Sequence, residues 1–535
     1  MLRALRNLFR LLTIVRTLAR HGALASLRAA VEGTGVAPSV LFAGRLFTPR
    51  RRDPWPDEKR PGERLAAAFG ELGPVFIKLG QMLSTRSDLL GEQVAADLSL
   101  LQDRLPPFDA AAARATIEAE LGAPVEALFT RFEDCPVSAA SIAQVHYATI
   151  APGPGEGSAA GEFAGAGFEG GAVAVKVLRP GIEQAFARDL DLLMWLAELV
   201  ERTQPKLRRL RPVAVVRTFA DTVRIEMDLR LEAAAASELA QNFAGDPTYR
   251  VPAVDWHRTG RRVMTQQRLT GIPMNDGAAL TAAGLDIDAV LARAAAIFFK
   301  QVFRDGYFHG DQHPGNMFVD PDGHIGAVDF GIMGRLDRKT RYYLADMLLG
   351  FLERDYRRVA QVHLEAGYVP PTQSLDQFAQ ALRAIGEPIF GRPLQEISFA
   401  RLLGQLFRIA EQFEMEVQPQ LLLLQKNMLM AEGVSRQLNP DLNIWTLAQP
   451  LIDRWMRENR GPEARLQDAA AEALRSLGRL PGLIAAAERA ATALADTGIK
   501  PHPEGLRARD HEIRRLLRPL WVAVALLAIL VLLAL

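Results

Sequence analysis

The chain has almost no cysteine: Cys135 stands alone in 535 residues. An internal disulfide is excluded, which suits a reducing compartment or indifference to one. Charge imbalance is missing too. Lysine and arginine number 63 against 62 acids, a net charge of +1, so composition offers no argument for a nucleic-acid partner. Aromatic residues make up only 7%, while Ala, Leu and Arg are abundant, which favours a largely helical protein. No Gly-x-Gly-x-x-Gly follows a strand in the way a flavin site needs. The chain is long enough for roughly three to four domain-sized units with a large core.

What is there centres on His309-Gly-Asp-Gln-His-Pro-Gly-Asn316, followed thirteen residues later by Asp329-Phe-Gly331. Asp311 and Asn316 are five apart, the D-x-x-x-x-N spacing of a kinase catalytic loop, and a short hairpin then delivers a second carboxylate. Magnesium on a nucleotide's phosphates wants oxygen ligands on a rigid frame. Asn316 and Asp329 stand where two such ligands would flank a triphosphate, and Asp311 where an acceptor's proton would be handled. His309 and His313 bracket Asp311, yet no third group completes a transition-metal set. They are expected to hydrogen-bond the loop.

Upstream, Pro136-Val-Ser-Ala-Ala-Ser-Ile-Ala-Gln-Val-His146 can be laid on the phosphate-loop pattern G-x-G-x-x-G-x-V. Ser138, Ala140 and Ala143 take the glycine positions and Val145 keeps its place. A loop of Ser138, Ala139, Ala140, Ser141, Ile142 and Ala143 is expected to be stiffer than glycine and to grip phosphates differently. Val173-Ala-Val-Lys-Val177 matches the strand V-A-I-K, so Lys176 should reach the α and β phosphates. An acidic partner is sought in Glu226-Met-Asp-Leu-Arg-Leu-Glu232, which offers Glu226, Asp228 and Glu232. The spacing predicts that Asp228 and Glu232 share a helix face. Strands are expected over 143–150 and 172–178. The connection 151–172, with eight glycines and two prolines, reads as a flexible loop. Val263–Gln267 marks the hinge between lobes, where backbone groups of Thr265, Gln266 and Gln267 would read an adenine. An apolar helix over 291–308 leads into the catalytic loop.

Ahead of these motifs a helix is expected from Pro74, whose missing N–H costs little in a first turn. Gly80 inside it costs roughly 1 kcal/mol against alanine, and close approach to another backbone or a ligand would justify it. Lys78-Leu-Gly-Gln81, then Ser84-Thr-Arg-Ser-Asp-Leu-Leu90 and Leu101-Gln-Asp-Arg-Leu-Pro-Pro107, resembles the UbiB (ADCK) family of atypical kinases. The later motifs agree, and the resemblance covers about residues 70 to 445. It implies that Glu232 partners Lys176. It also implies that Glu226 and Asp228 form an E-x-D motif holding Lys78, Gln81 and their helix over the active site. The family is known for an alanine-rich loop but usually keeps a glycine where this chain has Ala143, a departure that bears on preference for ATP or ADP. The cofactors implied are ATP or ADP with Mg²⁺. The implied role is in coenzyme Q (ubiquinone) biosynthesis, with quinone precursors or the other ubiquinone biosynthetic enzymes as partners.

Residues 1–31 contain no acid, and Arg3, Arg6, Arg10, Arg16 and Arg20 alternate with apolar residues. The pattern is a basic amphipathic helix suited to an anionic membrane, with a helix packed on the body as the alternative. At the other end, Arg507, Arg509, Arg514, Arg515 and Arg518 precede an uncharged run from Pro519 to Leu535. At about 1.5 Å per residue this run spans roughly 25 Å, so 516–535 is expected to be a single membrane anchor with its arginines on the cytoplasmic side. The expected location is a bacterial inner membrane, with the mitochondrial inner membrane as the alternative.

The expected fold is α+β, a protein-kinase-like two-lobed body, mostly helical. Its expected parts are a basic segment and linker (1–60), a helical extension (61–130), a small lobe (131–270), a large lobe (271–450), a second extension (451–515) and the anchor. No Ala-Pro-Glu follows Gly331, which argues against phosphorylating proteins in trans. The sequence therefore points to a membrane ATPase that handles lipids or quinone precursors. A small-molecule (prenylphenol) kinase and a nucleotide-binding scaffold are the rivals. The oxygenase role historically attached to the family finds no supporting residues. Oligomeric state is left open.

Overall fold

A computed structural model describes residues 2–23, 60–84, 92–99, 101, 105–150, 171–203, 211–390, 409–410, 412–415, 418–439 and 444–460. The loop expected over 151–172 (through 170), the extension beyond 460 and the anchor expected over 516–535 lie outside these residues. Among the described residues no helix is long and apolar enough to cross a membrane.

The strands begin with β1 (Phe129–Phe132), β2 (Ser138–Ala139), β3 (Ala143–Ile150) and β4 (Ala172–Leu178). After three helices, Ile182–Thr203, Pro212–Glu226 and Leu229–Asn242, come β5 (Tyr249–Arg250), β6 (Val263–Gln267) and β7 (Ile272–Pro273). The last four, β8 (Tyr307–His309), β9 (Met317–Val319), β10 (Ile325–Ala327) and β11 (Met333–Arg335), frame the loop that carries Asp311. They pair as β1-β3-β4-β6 with β2 also on β3, as β5-β10-β9-β7, and as β8-β11.

The alternation of β4 decides where Lys176 points. Successive strand residues face opposite ways. Val173, Val175 and Val177 pack with Ile117 of the helix Ala110–Leu121 and with Phe129. Lys176 falls on the other face, opposite Val145 of β3 and Met264 of β6. A slip of one residue would expose three valines, each worth about 1.5–3 kcal/mol buried, and drive the ammonium into the apolar layer.

The helix Pro74–Ser84 begins at its proline, as the sequence requires. Gly80 is there for side chains, not for a backbone or ligand: a Cβ would stand 2.8 Å from both Leu101 Cδ1 and Phe69 Cδ2. The helix expected over 291–308 is shorter. It runs Ile287–Phe299, loosens into a π-helical turn Lys300–Asp305, and gives way to β8. The wide turn is anchored by buried Gln301, whose Oε1 accepts from His309 N–H at 2.9 Å and Gln312 Nε2 at 3.2 Å. A π turn beside a functional loop is a recurrent device.

The N-terminal helix Leu2–Arg20 packs on the body, the alternative the sequence left open, with Ile14 and Leu18 buried in the main core. Arg10 is bidentate to buried Asp189, at 2.8 and 2.7 Å, and Arg6 meets Asp191 at 2.9 Å. Arg20 and His21 both pair with Glu71. Arg6, Arg10 and Arg20 thus pair with the protein's own acids, while Phe9, at 69% exposed, stands in solvent with Leu8 and Leu12.

Beyond Gly331 only β11 and a short turn precede the helix Arg338–Leu352, whose N-cap is Asp337. That helix, Tyr356–Glu365 and Leu375–Phe390 close a second apolar core around Tyr356, Val359 and Phe378.

Candidate functional site

Three segments far apart in the chain meet at Lys176. Glu232 lies on the buried face of the helix Leu229–Asn242, in line with Leu229, Ala233 and Ala236, so packing carries its carboxylate inward. Its two oxygens accept from Lys176 Nζ at 2.7 and 2.8 Å, and Asp329 Oδ1 accepts at 3.0 Å. Burial works against the charge on Lys176, but Asp329 and Glu232 outweigh it and hold the ammonium well above the lysine range. Burial pushes Glu232 up against the pull of Lys176. Asp329 is held well below the carboxylate range, chiefly by Lys176.

Asp329 reaches this position through an unusual backbone. Its φ is +65°, in the left-handed region, which Asp and Asn tolerate better than most residues. The turn sends the neighbouring Phe330 into the core, 1% exposed. The carboxylate is left facing the lysine.

The loop before it is organised by its histidines. Asp311 N–H donates to His309 Nδ1 at 3.0 Å, and His309 Nε2 faces Val328 O at 3.3 Å. Nδ1 accepts, so Nε2 carries the proton. Burial depresses the pKa of His309 and favours that neutral form. His313 Nδ1 accepts from Gly315 N–H and caps the turn Pro314–Asn316. Both are loop struts, in line with their sequence reading. Asn316 Nδ2 donates to Asp311 O at 3.4 Å, tying the two ends of the D-x-x-x-x-N together. Among the described residues the one cluster with cation-ligand spacing is Asp320, Asp322 and His324 in the β9–β10 turn. There Asp320 already accepts the Asp322 and His324 amides and pairs with Arg250.

The alanine-rich stretch is a closed hairpin turn. Ala140 N–H donates to Ala143 O at 2.8 Å, enclosing Ser141 and Ile142. Ser141, Ile142 and Ala143 are buried, with Ile142 and Ala143 in the same core as Phe69 and Phe76. Arg179 straps the turn: its N–H reaches Ile142 O at 2.8 Å and its guanidinium reaches Ala140 O at 3.3 Å. Ser138 is exposed, Ala139 lies beside it in β2, and Val145 sits across from Lys176.

Two sequence expectations need correction. Asp228 and Glu232 do not share a helix face. Glu226 ends the helix Pro212–Glu226, and Asp228 is the N-cap of the next helix, accepting from Arg230 N–H. Asp228 also pairs with the Arg230 side chain at 2.6 Å. The cap breaks the helix, so the i, i+4 face never forms. Glu226 meets Lys78 at 2.9 Å, and Gln81 follows one turn on in the Lys78 helix, half-buried. The second correction concerns the hinge. Gln267 N–H donates to Ala253 O and Thr265 O accepts from Asp255 N–H. Thr265 N–H is taken by Thr259 Oγ1 at 3.2 Å, and Gln266 bridges Val254. The segment 253–259 covers this edge of β6, so the Thr265 and Gln267 N–H groups and the Thr265 carbonyl are taken within the fold.

The sequence reading missed Lys426 and Asn427, on the helix Pro419–Leu438. Lys426 Nζ stands 2.7 Å from Asp311 Oδ1, and Asn427 Nδ2 donates to His309 O at 2.5 Å. Their signal was legible: Gln425-Lys-Asn427 interrupts an otherwise apolar run from Leu421 to Met430.

Residues 100–363 match the ABC1 atypical kinase-like domain, and residues 382–443 match the UbiB helical domain. A protein of Marinobacter nauticus named probable protein kinase UbiB is 46% identical over 434 residues, 80% of this chain and 76% of that one. Its namesake in Azotobacter vinelandii is 44% identical over 476 residues, 88% and 83% of the two chains. Among solved structures, Rv3197 of Mycobacterium tuberculosis in complex with erythromycin aligns with a TM-score of 0.46 at 26% identity, covering 72% of this chain and 93% of that one.

Proposed function

The chain belongs to the UbiB family of atypical kinase-like proteins, and from that premise we propose that it is a Mg²⁺-dependent ATPase or phosphotransferase supporting ubiquinone biosynthesis at a membrane. The ubiquinone part rests on the family resemblance. The chemistry rests on one observation: Lys176, Glu232 and Asp329 converge beside a loop whose Asp311 and Asn316 are hydrogen-bonded to each other.

The donor set fits a hard cation. Asp329 has a second carboxylate oxygen beyond the one Lys176 takes, and the Asn316 amide, with Nδ2 turned to Asp311 O, has its oxygen to offer. When bound, Mg²⁺ supplies charge neutralisation on the phosphates. Lys176, aimed by Glu232, adds a fixed positive charge. Asp311 orients the attacking water or hydroxyl. That oxygen forms the new bond to the terminal phosphorus as the bond to the ADP bridging oxygen breaks. The electron pair leaves on ADP, and the proton passes through Asp311 to solvent.

The short path from Gly331 to Arg338 leaves little room for a docked peptide, which favours water or a small hydroxyl as acceptor. Lys78, paired with Glu226, ties the extension helix to the segment that carries Glu232. Such a tie makes nucleotide turnover sensitive to that helix. Exposed Leu8, Phe9 and Leu12, with the arginine-flanked apolar run over 516–535, support residence at an anionic bacterial inner membrane.

The test is phosphate release from Mg-ATP by protein lacking residues 516–535, with and without anionic liposomes and a phenolic quinone-precursor analogue. Turnover that rises with lipid or phenol and vanishes in Asp329→Asn supports the reading. Label transferred from the γ-phosphate to the phenol would make the protein a small-molecule kinase. Tight nucleotide binding without release under any condition would make it a scaffold.

A further inference from the structure

The helix Pro419–Leu438 enters the catalytic loop through two consecutive side chains. Asn427, 2% exposed, donates to His309 O at 2.5 Å and accepts Gln312 N–H at 3.3 Å. These backbone groups lie on either side of Gly310 and Asp311, so the loop is fixed to the helix across the position of Asp311. Lys426 is thereby held in place, with Nζ 2.7 Å from Asp311 Oδ1. The loop from His309 to Asn316 contains no lysine or arginine of its own.

The three lysines of this region differ in what they have left to give. An ammonium has three N–H donors. Lys176, 15% exposed, directs its donors to Glu232 and Asp329. Lys78, 13% exposed, is paired with Glu226. Lys426, at 40% the most exposed of the three, is paired with Asp311, and that single contact uses one of its three donors beside the residue that handles the acceptor.

We propose that Lys426 is the cation that meets the terminal phosphoryl group of the bound nucleotide beside Asp311, supplied by the helical domain and not by the catalytic loop. The inference rests on the Mg-ATP reading above. Charge on a transferring phosphoryl group is spread over three oxygens, and a preorganised cation there stabilises it. Since Asp311 marks the acceptor end of the phosphate chain, Lys426 touches a group that ATP has and ADP lacks.

Dissociation constants for Mg-ATP and Mg-ADP, together with turnover, are measured for the full chain in detergent as wild type, Lys426→Met and Lys426→Arg. Lys426→Met should weaken ATP about tenfold, leave ADP within about twofold, and lower kcat by about a hundredfold. Lys426→Arg should retain most of the ATP preference. Equal weakening of both nucleotides, or an unchanged ratio, overturns the proposal, because a purely structural strap would not discriminate between them. Higher turnover in Lys426→Met would also overturn it and make the Asp311 pair an inhibitory plug. Lys426→Gln serves as the second neutral variant if Lys426→Met lacks a cooperative thermal transition. Wild-type protein that binds neither nucleotide would defeat the nucleotide reading itself. Wild-type turnover with an unaltered Lys426→Met profile would defeat only the role of Lys426.

Discussion

Lys176 Nζ lies 2.7 and 2.8 Å from the two carboxylate oxygens of Glu232, so a strand and a helix are locked by one buried ion pair. Removing one member of such a pair leaves an uncompensated buried charge, at about 3–5 kcal/mol. Lys176→Ala, which strands buried Glu232 beside Asp329, should therefore lose stability of that order in urea denaturation and lose ATP turnover. The double variant Lys176→Met/Glu232→Met should regain most of the stability and none of the turnover. Full turnover in the double variant would remove the pair from the chemistry.

Asp329→Asn is the informative substitution at the second carboxylate. Asparagine tolerates the left-handed backbone found there, so the fold should survive with a thermal transition close to wild type. Mg-dependent turnover should disappear. Turnover equal to wild type would sink the assignment of Asp329 to the metal.

The extension and the alanine-rich turn are expected to tune nucleotide binding. Lys78→Ala breaks the pair with Glu226. Ala140→Gly loosens a turn held by the Ala140 to Ala143 hydrogen bond and by Arg179. Each should change the ATP to ADP affinity ratio by about fivefold or more, the scale of ordinary coupling between sites. Equilibrium binding with both nucleotides checks this, and unchanged ratios in both variants would separate these elements from the site.

Asp246 supplies a pH test away from the nucleotide. Burial would raise its pKa, but hydrogen bonds from Lys300, at 2.6 Å, and Thr248 outweigh that and bring it to about 2. A carboxylate depressed on folding contributes stability above its unfolded pKa and loses it as pH falls through the folded value. Asp246→Asn should thus cost about 1–2 kcal/mol at neutral pH. The gap to wild type should close between about pH 4 and about pH 2. Denaturation curves across that range read it directly, and a gap independent of pH would assign the loss to packing.

Sequence alone determined the parts that depend on local period and spacing. The alternation in Ala172–Leu178 gave β4 its two faces, and the five-residue gap from Asp311 to Asn316 defined the loop. Pro74 started its helix, and Cys135, standing alone, ruled out an internal disulfide. The arginine-rich pattern at the start gave a helix as well. The face that met the body joins Ile14 and Leu18 to the main core and pairs Arg10 and Arg6 with acids nearly two hundred residues away, Asp189 and Asp191.

Tertiary structure decided what spacing could not carry. Asp228 and Glu232 have the separation of helix-face neighbours, but the Asp228 side chain found the next amide first and became a cap. Backbone groups of Thr265 and Gln267, expected to read a base, are engaged by the segment 253–259. Lys426 and Asp311 are 115 residues apart. No local period links them, and they meet because Asn427 satisfies a buried carbonyl and a half-buried amide of the loop that carries Asp311. Burying such groups without partners costs free energy, so the fold brings this helix to the loop and carries the lysine with it.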